Sequence, residues 1–561
     1  MTLVLHLVRW DMRRFRLVLL LWLLLVSASA LLEGAWPAIA IAMAARNTVG
    51  LTGNLLALAE ILFGVALITL VVQEHPLVGT SAFWMTRPIP PRALLAAKLV
   101  LLSAAMVFAP VLAEVVLMIA YRVPAGAIAA VSAQSAMFWA LWLGVVMVFA
   151  ALTPNMAKFS LAVGGAIIVT VVSLVTIATI LIDRAGEGPP IPTAEEMYDP
   201  TQGVVITMLI IGAVIAFLVA QYRTRARPRA IAIGLAGVAV AWAAASVWPW
   251  PLLAPTLETP AWAADPSVLQ LSAHSGTVNV GSTVVDFGAP PPPWKVARAP
   301  MLLRGLAPGW SAGVGLRETS IRVDGREALT SHVRAASASV AIDDAESVQN
   351  NEVIRRLLNV ERLIDWRQEK RAETAIVMVA RTDDLRRLSA DGVEYEGTFL
   401  LSLTRHDIEA VVPLRSGAAV RMGAYQFAVG RIRPSPSRIS VLARKSDARS
   451  TFNRHPRSRV DYYLRNMQTS VAVQGTHHEV RSDVTLARLL PFVVGVGDES
   501  EDTGFRPLAL EVNFSTGYGG PQEIDFDGTW LERAELIIVR STAGGTVERR
   551  LAIADFPIRT E

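Results

Sequence analysis

The chain has no cysteine, which excludes disulfides and thiolate metal sites and removes pairing as a guide to redox compartment. Lysine is nearly as scarce, standing only at 98, 158, 295, 370 and 445, so almost all positive charge is arginine. The phosphate-cradling pattern GxxxxGK[ST] is missing, and any nucleotide that powers this protein would have to sit on a partner. There is no HExxH for zinc. No catalytic residue, metal or cofactor is assigned, and the chain is read as a non-enzyme. Charge itself is thin in the first half. Met1 to Trp250 holds 15 Lys+Arg and 10 Asp+Glu of the 52 and 48 in the whole chain, which leaves 37 and 38 for the remainder. In that remainder bases are balanced by acids rather than gathered in a stripe, so nucleic acid is not an expected partner.

What is present in the first half is apolarity. Over 561 residues the chain is 53% hydrophobic, too apolar for an ordinary soluble protein. Residues 1–16 read as an interfacial amphipathic helix with His6, Arg9, Arg13 and Arg16 on one face. A cleaved signal peptide competes, but further hydrophobic segments follow. Segments at roughly 17–36, 54–73, 94–120, 130–152, 158–182, 203–221 and 230–250 are each long enough to cross a bilayer as a helix. Every second loop is basic: Arg9, Arg13, Arg14 and Arg16 before the first span, Arg87, Arg92 and Lys98 after the second, Lys158 after the fourth, and Arg223, Arg225, Arg227 and Arg229 after the sixth. By the positive-inside rule the N-terminus is cytoplasmic, and an odd number of crossings puts the second half outside. Trp36, Trp248 and Trp250 then fall at the outer interface. The first span is the weakest, because Glu33 and Pro37 interrupt it.

After a proline-marked linker at 251–266 the pattern changes to short alternating runs, among them TAIVMVA, GTFLLSLT, AYQFAVGRIR, SRISVLAR, LALEVNFS and AELIIVRS. About a dozen such runs between turn residues predict antiparallel strands. Short helices are expected at 350–365 and 382–389. The expected architecture is a membrane α-helical bundle of about seven transmembrane helices (17–250), followed by an extracytoplasmic all-β, sandwich-like region (267–561) that is long enough for two sandwiches.

One polar stretch interrupts the apolar half. His75 to Leu102, HPLVGTSAFWMTRPIPPRALLAAKLVLL, offers an apolar knob (Phe83, Trp84, Met85), a basic rim (Arg87, Arg92, Lys98) and prolines that stop a helix. An aromatic beside arginine is what interface hot spots favour. The bland alternative is that Phe83 and Trp84 dip into the bilayer interface and Arg87 meets lipid phosphate. With this loop, residues 1–250 resemble the permease subunit of an ABC transporter of the second, exporter-like type. The resemblance implies a separate ABC ATPase subunit that receives the loop through Phe83, Trp84, Arg87 and Arg92. It also implies pairing with a second, like or unlike, permease in the inner membrane. The family core has six spans, so a seventh and a large outer region depart from it. The competing class is a membrane-anchored extracytoplasmic binding or scaffold protein without transport.

Glu33, Glu60 and Glu114 fall inside predicted spans toward the outer leaflet. A carboxylate there costs several kcal/mol unless hydrated or paired, so the three are candidates for a polar path; pairing with Arg46 or Arg122 is the bland reading. His477 and His478 are adjacent, and on a strand they point to opposite faces, so they do not share a metal ion; a solvated turn is expected there. Gly144, Gly164 and Gly165 permit close helix approach.

Overall fold

A computed structural model describes residues 2–43, 48–74, 90–166, 168, 200–247, 259–273, 278–282, 294–323, 326–332, 352–364, 374–381, 393–435, 437–449, 458–480, 504–515, 526, 528–553 and 558–559. The first half is helical: α1 Thr2–Arg14, α2 Arg16–Met43, α3 Thr48–Gln73, α4 Pro91–Ser103, α5 Ala109–Ala120, α6 Ala125–Leu152, a further helix over 156–166, α7 Pro200–Thr224 and α8 Arg227–Val247. Among the described residues, four stretches are long and apolar enough to cross a membrane: Arg16–Ile39, Pro91–Ala120, Ala125–Leu152 and Val204–Thr224. Their outward surface carries exposed Leu17, Leu24, Leu31, Phe108, Leu112 and Val116, a face that suits lipid and not water. These helices make the chain a membrane protein. The segment expected at 158–182 is described only in its first part.

Local sequence explains how the long helices tolerate their interruptions. α2 runs straight through Pro37, so the weak first span is one continuous helix. α4 starts on Pro91, where the missing N–H is one the helix leaves unused anyway. Between α4 and α5 the backbone widens into a π-turn at Ala104–Phe108. Pro110 lies just beyond it and its ring would collide with a carbonyl one turn back; a widened turn relieves that collision. The Trp22 indole then donates to the Ala105 carbonyl at 2.8 Å, supplying a partner inside an apolar core.

Side-chain ties divide the helix ends into two groups. Arg14 pairs with Glu74 just past α3 (3.0 Å), and Lys98, two turns into α4, pairs with Asp11 of α1 (2.9 Å). Gln73 donates to the Thr153 hydroxyl beyond α6 at 3.1 Å. Together these form the base. At the opposite end the Tyr121 hydroxyl, after α5, donates to Gly34 O of α2 at 2.9 Å. Here too Trp36 packs on Ala509 of the β-region. The basic helix ends therefore gather at the base, and the β-region sits on the other end.

The second half is almost wholly antiparallel. Its strands are β1 Gln270–Ala273, β2 Val278–Ser282, β3 Trp294–Arg304, β4 Trp310–Val323, β5 Arg326–His332, β6 Arg362–Ile364, β7 Thr374–Arg381, β8 Val393–Pro413, β9 Ala419–Met422, β10 Tyr425–Ser435, β11 Arg438–Arg449, β12 Ser458–Asn466, β13 Val471–Val480, β14 Gly504–Ser515, β15 Ala534–Ile553 and β16 Ile558–Arg559. A large sheet is ordered β5-β4-β8-β15-β12-β13-β14-β11-β10-β9, and a smaller one β1-β3-β2-β16 with β7 beside β3. Two cores result. In one, Phe399, Leu401 and Leu403 of β8 and Val547 and Leu551 of β15 face Ala299, Leu303 and Met378 of the smaller sheet. In the other, the large sheet curls on itself, so that Val412 and Ile538 meet Phe427, Val441, Tyr462, Val512 and Phe514.

β8 and β15 serve both cores because each carries a bulge. The β8–β15 register slips between Ile538 and Val539, which leaves Glu409 as the extra residue, and again between Ala543 and Thr546. Odd residues of β8 (399, 401, 403) face the first core and even ones (410, 412) the second. One inserted residue keeps the apolar side on the same face. The second slip falls on Gly544–Gly545, where a Cβ on Gly544 would lie 2.7 Å from the Trp310 ring and one on Gly545 2.7 Å from Thr259 Cα.

Candidate functional site

The base of the bundle holds the densest set of charges in the helical half. α1 lies along α4 through Leu7, Val8 and Ala97, and this packing carries Asp11 inward. The Asp11 and Lys98 side chains are 2% and 0% exposed. Lys98 Nζ holds Asp11 Oδ2 at 2.9 Å, while Asp11 Oδ1 has no hydrogen-bond partner among the described residues. Tyr222, near the end of α7, is buried within electrostatic reach of Asp11. On the preceding residue, Gln221, both amide atoms are buried without a partner among the described residues. A pair so far from water contributes little net stability, yet losing one member strands the other. What it does supply is position: α1, α4 and the end of α7 meet at one point.

Arg14 makes the second tie. It stands over the Trp10 ring at 5.4 Å and pairs with Glu74, the last described residue after α3. α1 thus grips both described flanks of residues 75–89, the α3 side through Arg14 and the α4 side through Asp11. Phe83, Trp84 and Arg87 fall outside the described residues. Arg92 is exposed in the first turn of α4, and His6, Arg9, Arg13 and Arg16 are all exposed on the face read from the sequence. Lys98 corrects the sequence reading. It was placed on the basic rim of the loop, and it is instead a fully buried partner of Asp11. The signal was available: Asp11 is the one acid in α1, and Lys98 stands alone in LLAAKLVLL.

The predicted intramembrane acids divide as follows. Ser29 and Glu33, four residues apart on α2, face Glu60 of α3; Glu60 hydrogen-bonds Ser29 and lies close enough to Glu33 to feel its charge. Glu33 adjoins Gly34, whose carbonyl is held at the β-side end, so this cluster lies toward that end. Glu114 is half-buried on α5, a helix that packs against α2. Of the three glycines, Gly144 serves close approach, with Val214 of α7 2.7 Å from where its Cβ would be; among the described residues nothing comes within 4 Å of the same point on Gly164 or Gly165.

Comparison with protein-family models, curated proteins and solved structures finds no match. The functional reading therefore rests on the residues themselves.

The β-region corrects the sequence reading in one respect: a GxSxG pattern is read as absent there, and the chain carries one. Gly309-Trp310-Ser311-Ala312-Gly313 has the spacing of a nucleophile elbow, and the Ser311 hydroxyl lies 2.7 Å from His406 Nε2. His406 Nδ1 in turn lies 2.9 Å from the Ser541 hydroxyl. The backbone argues against catalysis. Ser311 sits in the extended strand β4, not on a strand-to-helix turn, and at 1% exposure it meets no substrate. The three residues are a polar ladder across β4, β8 and β15. Burial holds the His406 pKa below its ordinary value, and Asp461 and Asp407 pull weakly the other way.

His477 and His478 lie on β13, not in a solvated turn. His477 meets the Tyr462 ring edge-on at 5.5 Å, and His478 stands opposite Glu511 of β14. They face opposite ways, as the strand period requires.

Proposed function

We propose that this chain is the membrane permease subunit of an ABC exporter-like complex, moving its substrate with ATP hydrolysed on a separate subunit. In this reading seven helices cross the inner membrane, the N-terminus and base are cytoplasmic, and the β-region is outside. The observation that supports it best is the grip of α1 on both described flanks of residues 75–89. A loop that takes up a push from a nucleotide-driven partner needs rigid anchors on both sides, and salt-bridged helix ends provide them. The partition of charge supports the orientation, since the arginine-rich ends all gather away from the β-region. Ser29, Glu33, Glu60 and Glu114 supply the polar part of a path toward the outer side. A second like or unlike permease, against the exposed apolar helix faces, completes the assembly.

Trp84→Ala with Arg87→Ala is expected to abolish co-purification of the ATPase subunit while membrane insertion is kept. Undiminished co-purification would remove the reading. The alternative, a membrane-anchored binding or scaffold protein, draws on the β-region having cores of its own. That alternative predicts partner binding that is indifferent to the helices.

A further inference from the structure

The outer ends of the helices do not merely approach the β-region; the β-region completes them. α5 ends at Ala120, Tyr121 is its C-cap residue, and Arg122 turns the chain through a left-handed conformation (φ 54) toward α6. A helix C-terminus leaves carbonyls that the helix cannot satisfy and that carry partial negative charge. Here donors come from the β-region, some 300 residues away in sequence. The Arg421 guanidinium of β9 donates to Tyr121 O at 3.2 Å and also to Arg122 O, and the Gln426 amide of β10 donates to Tyr121 O. A guanidinium at a helix C-terminus has the favourable sign.

Apolar packing surrounds this cap. The Tyr121 ring meets Phe505 of β14 edge-on at 5.5 Å. Met118, Val123 and Val131 of the α5–α6 hairpin are buried with Phe505 and Ala448. The same tyrosine reaches sideways, through its hydroxyl, to Gly34 O of α2. Beyond Gly34, Trp36 packs on Ala509, and Ile41 closes on Gly430 so tightly that a Cβ there would lie 2.9 Å from it. One residue thus bonds α2, ends α5 and seats β14.

We propose that the α5–α6 turn is a mechanical joint by which rearrangement of the helix bundle is transmitted to the β-region, with Tyr121 and Arg421 as its positioning residues. The β-region is then a working part that follows the helices, whichever partner drives them; nothing in the joint depends on an ATPase. Tight packing favours discrete arrangements over gradual deformation, and a displacement of α2 against α5 has a direct route through Tyr121 to β9, β10 and β14.

The test is a coupling cycle read by hydrogen–deuterium exchange on the full-length protein in detergent or nanodiscs. Gly34→Ala disturbs the bundle from within, because the new Cβ would lie 2.7 Å from Leu117 Cδ1. It is expected to raise exchange at residues 419–428 about tenfold or more in the native background, and to add no further increase when Arg421→Glu has already opened the joint. Arg421→Lys keeps the charge and is expected to keep most of the protection. Tyr121→Phe deletes only the hydroxyl bond to Gly34 and serves if Gly34→Ala does not fold; it is expected to raise exchange in the same segment. Unchanged exchange at 419–428 in whichever of the two folds overturns the proposal, and so does the same added increase from it with and without Arg421.

Discussion

At the scale of single residues the strongest constraint is the Asp11–Lys98 pair. Both side chains are out of water, and the cost of desolvating two charges offsets most of their attraction. Removing one partner is a different matter, because it strands a buried charge. Lys98→Met is expected to lower stability by about 3–5 kcal/mol. Asp11→Leu together with Lys98→Met should recover most of that loss, since an apolar pair fits the same site. Thermal melting followed by tryptophan fluorescence separates the outcomes, and a Lys98→Met variant as stable as the parent would show that the pair does not hold α1. The residue types were visible in the sequence, but their meeting was not. Asp11 and Lys98 are 87 positions apart, and no periodicity rule links one helix to another.

Among elements, strands were the harder part to read. Alternating runs located β7, β10, β11, β13 and β14, and the long apolar runs located α2, α3 and α6, each at one end only: α2 runs on to Met43, α3 begins at Thr48 and α6 at Ala125. The sequence reading missed β3, with Pro300 inside it, and β12, whose charges in SRVDYYLRN hide its alternation. It also cut β8 and β15 short, because a bulge shifts the apolar period by one residue and looks like a strand end. The interaction of β4, β8 and β15 has its own consequence in acid. His406 bridges the three strands through Ser311 and Ser541, and its pKa in the fold is below the ordinary value because it is buried. The unfolded chain therefore takes up the proton first as pH falls. The contribution to stability is complete above about pH 6.5, the ordinary histidine value, and is lost as pH drops from there toward the folded value. Melting at about pH 7.5 and about pH 5.5 should show a loss in acid that His406→Gln reduces. An identical pH dependence in both proteins would dismiss the assignment.

For the molecule as a whole, the question is on which side of the membrane each end lies. The arginine-rich base and the β-region occupy opposite ends of the same bundle. If the base is cytoplasmic, protease added to sealed right-side-out cells should digest the β-region, with its many surface arginines, and leave the helices. Survival of the β-region in cells together with its cleavage in inverted vesicles would reverse the orientation, and with it the proposed meeting of Trp84 with an ATPase.

The amino-acid sequence alone determined that the chain is half apolar helices and half antiparallel strands, and it determined how basic charge is distributed between alternate loops. These follow from local periodicity and composition, which act within a few turns of chain. Only the tertiary structure decided that Lys98 is buried and paired, that Glu33 and Glu60 face each other, and that Arg421 caps a helix in the other half of the molecule. Each of those depends on elements far apart in sequence being packed until a polar group lost its water and had to find another partner.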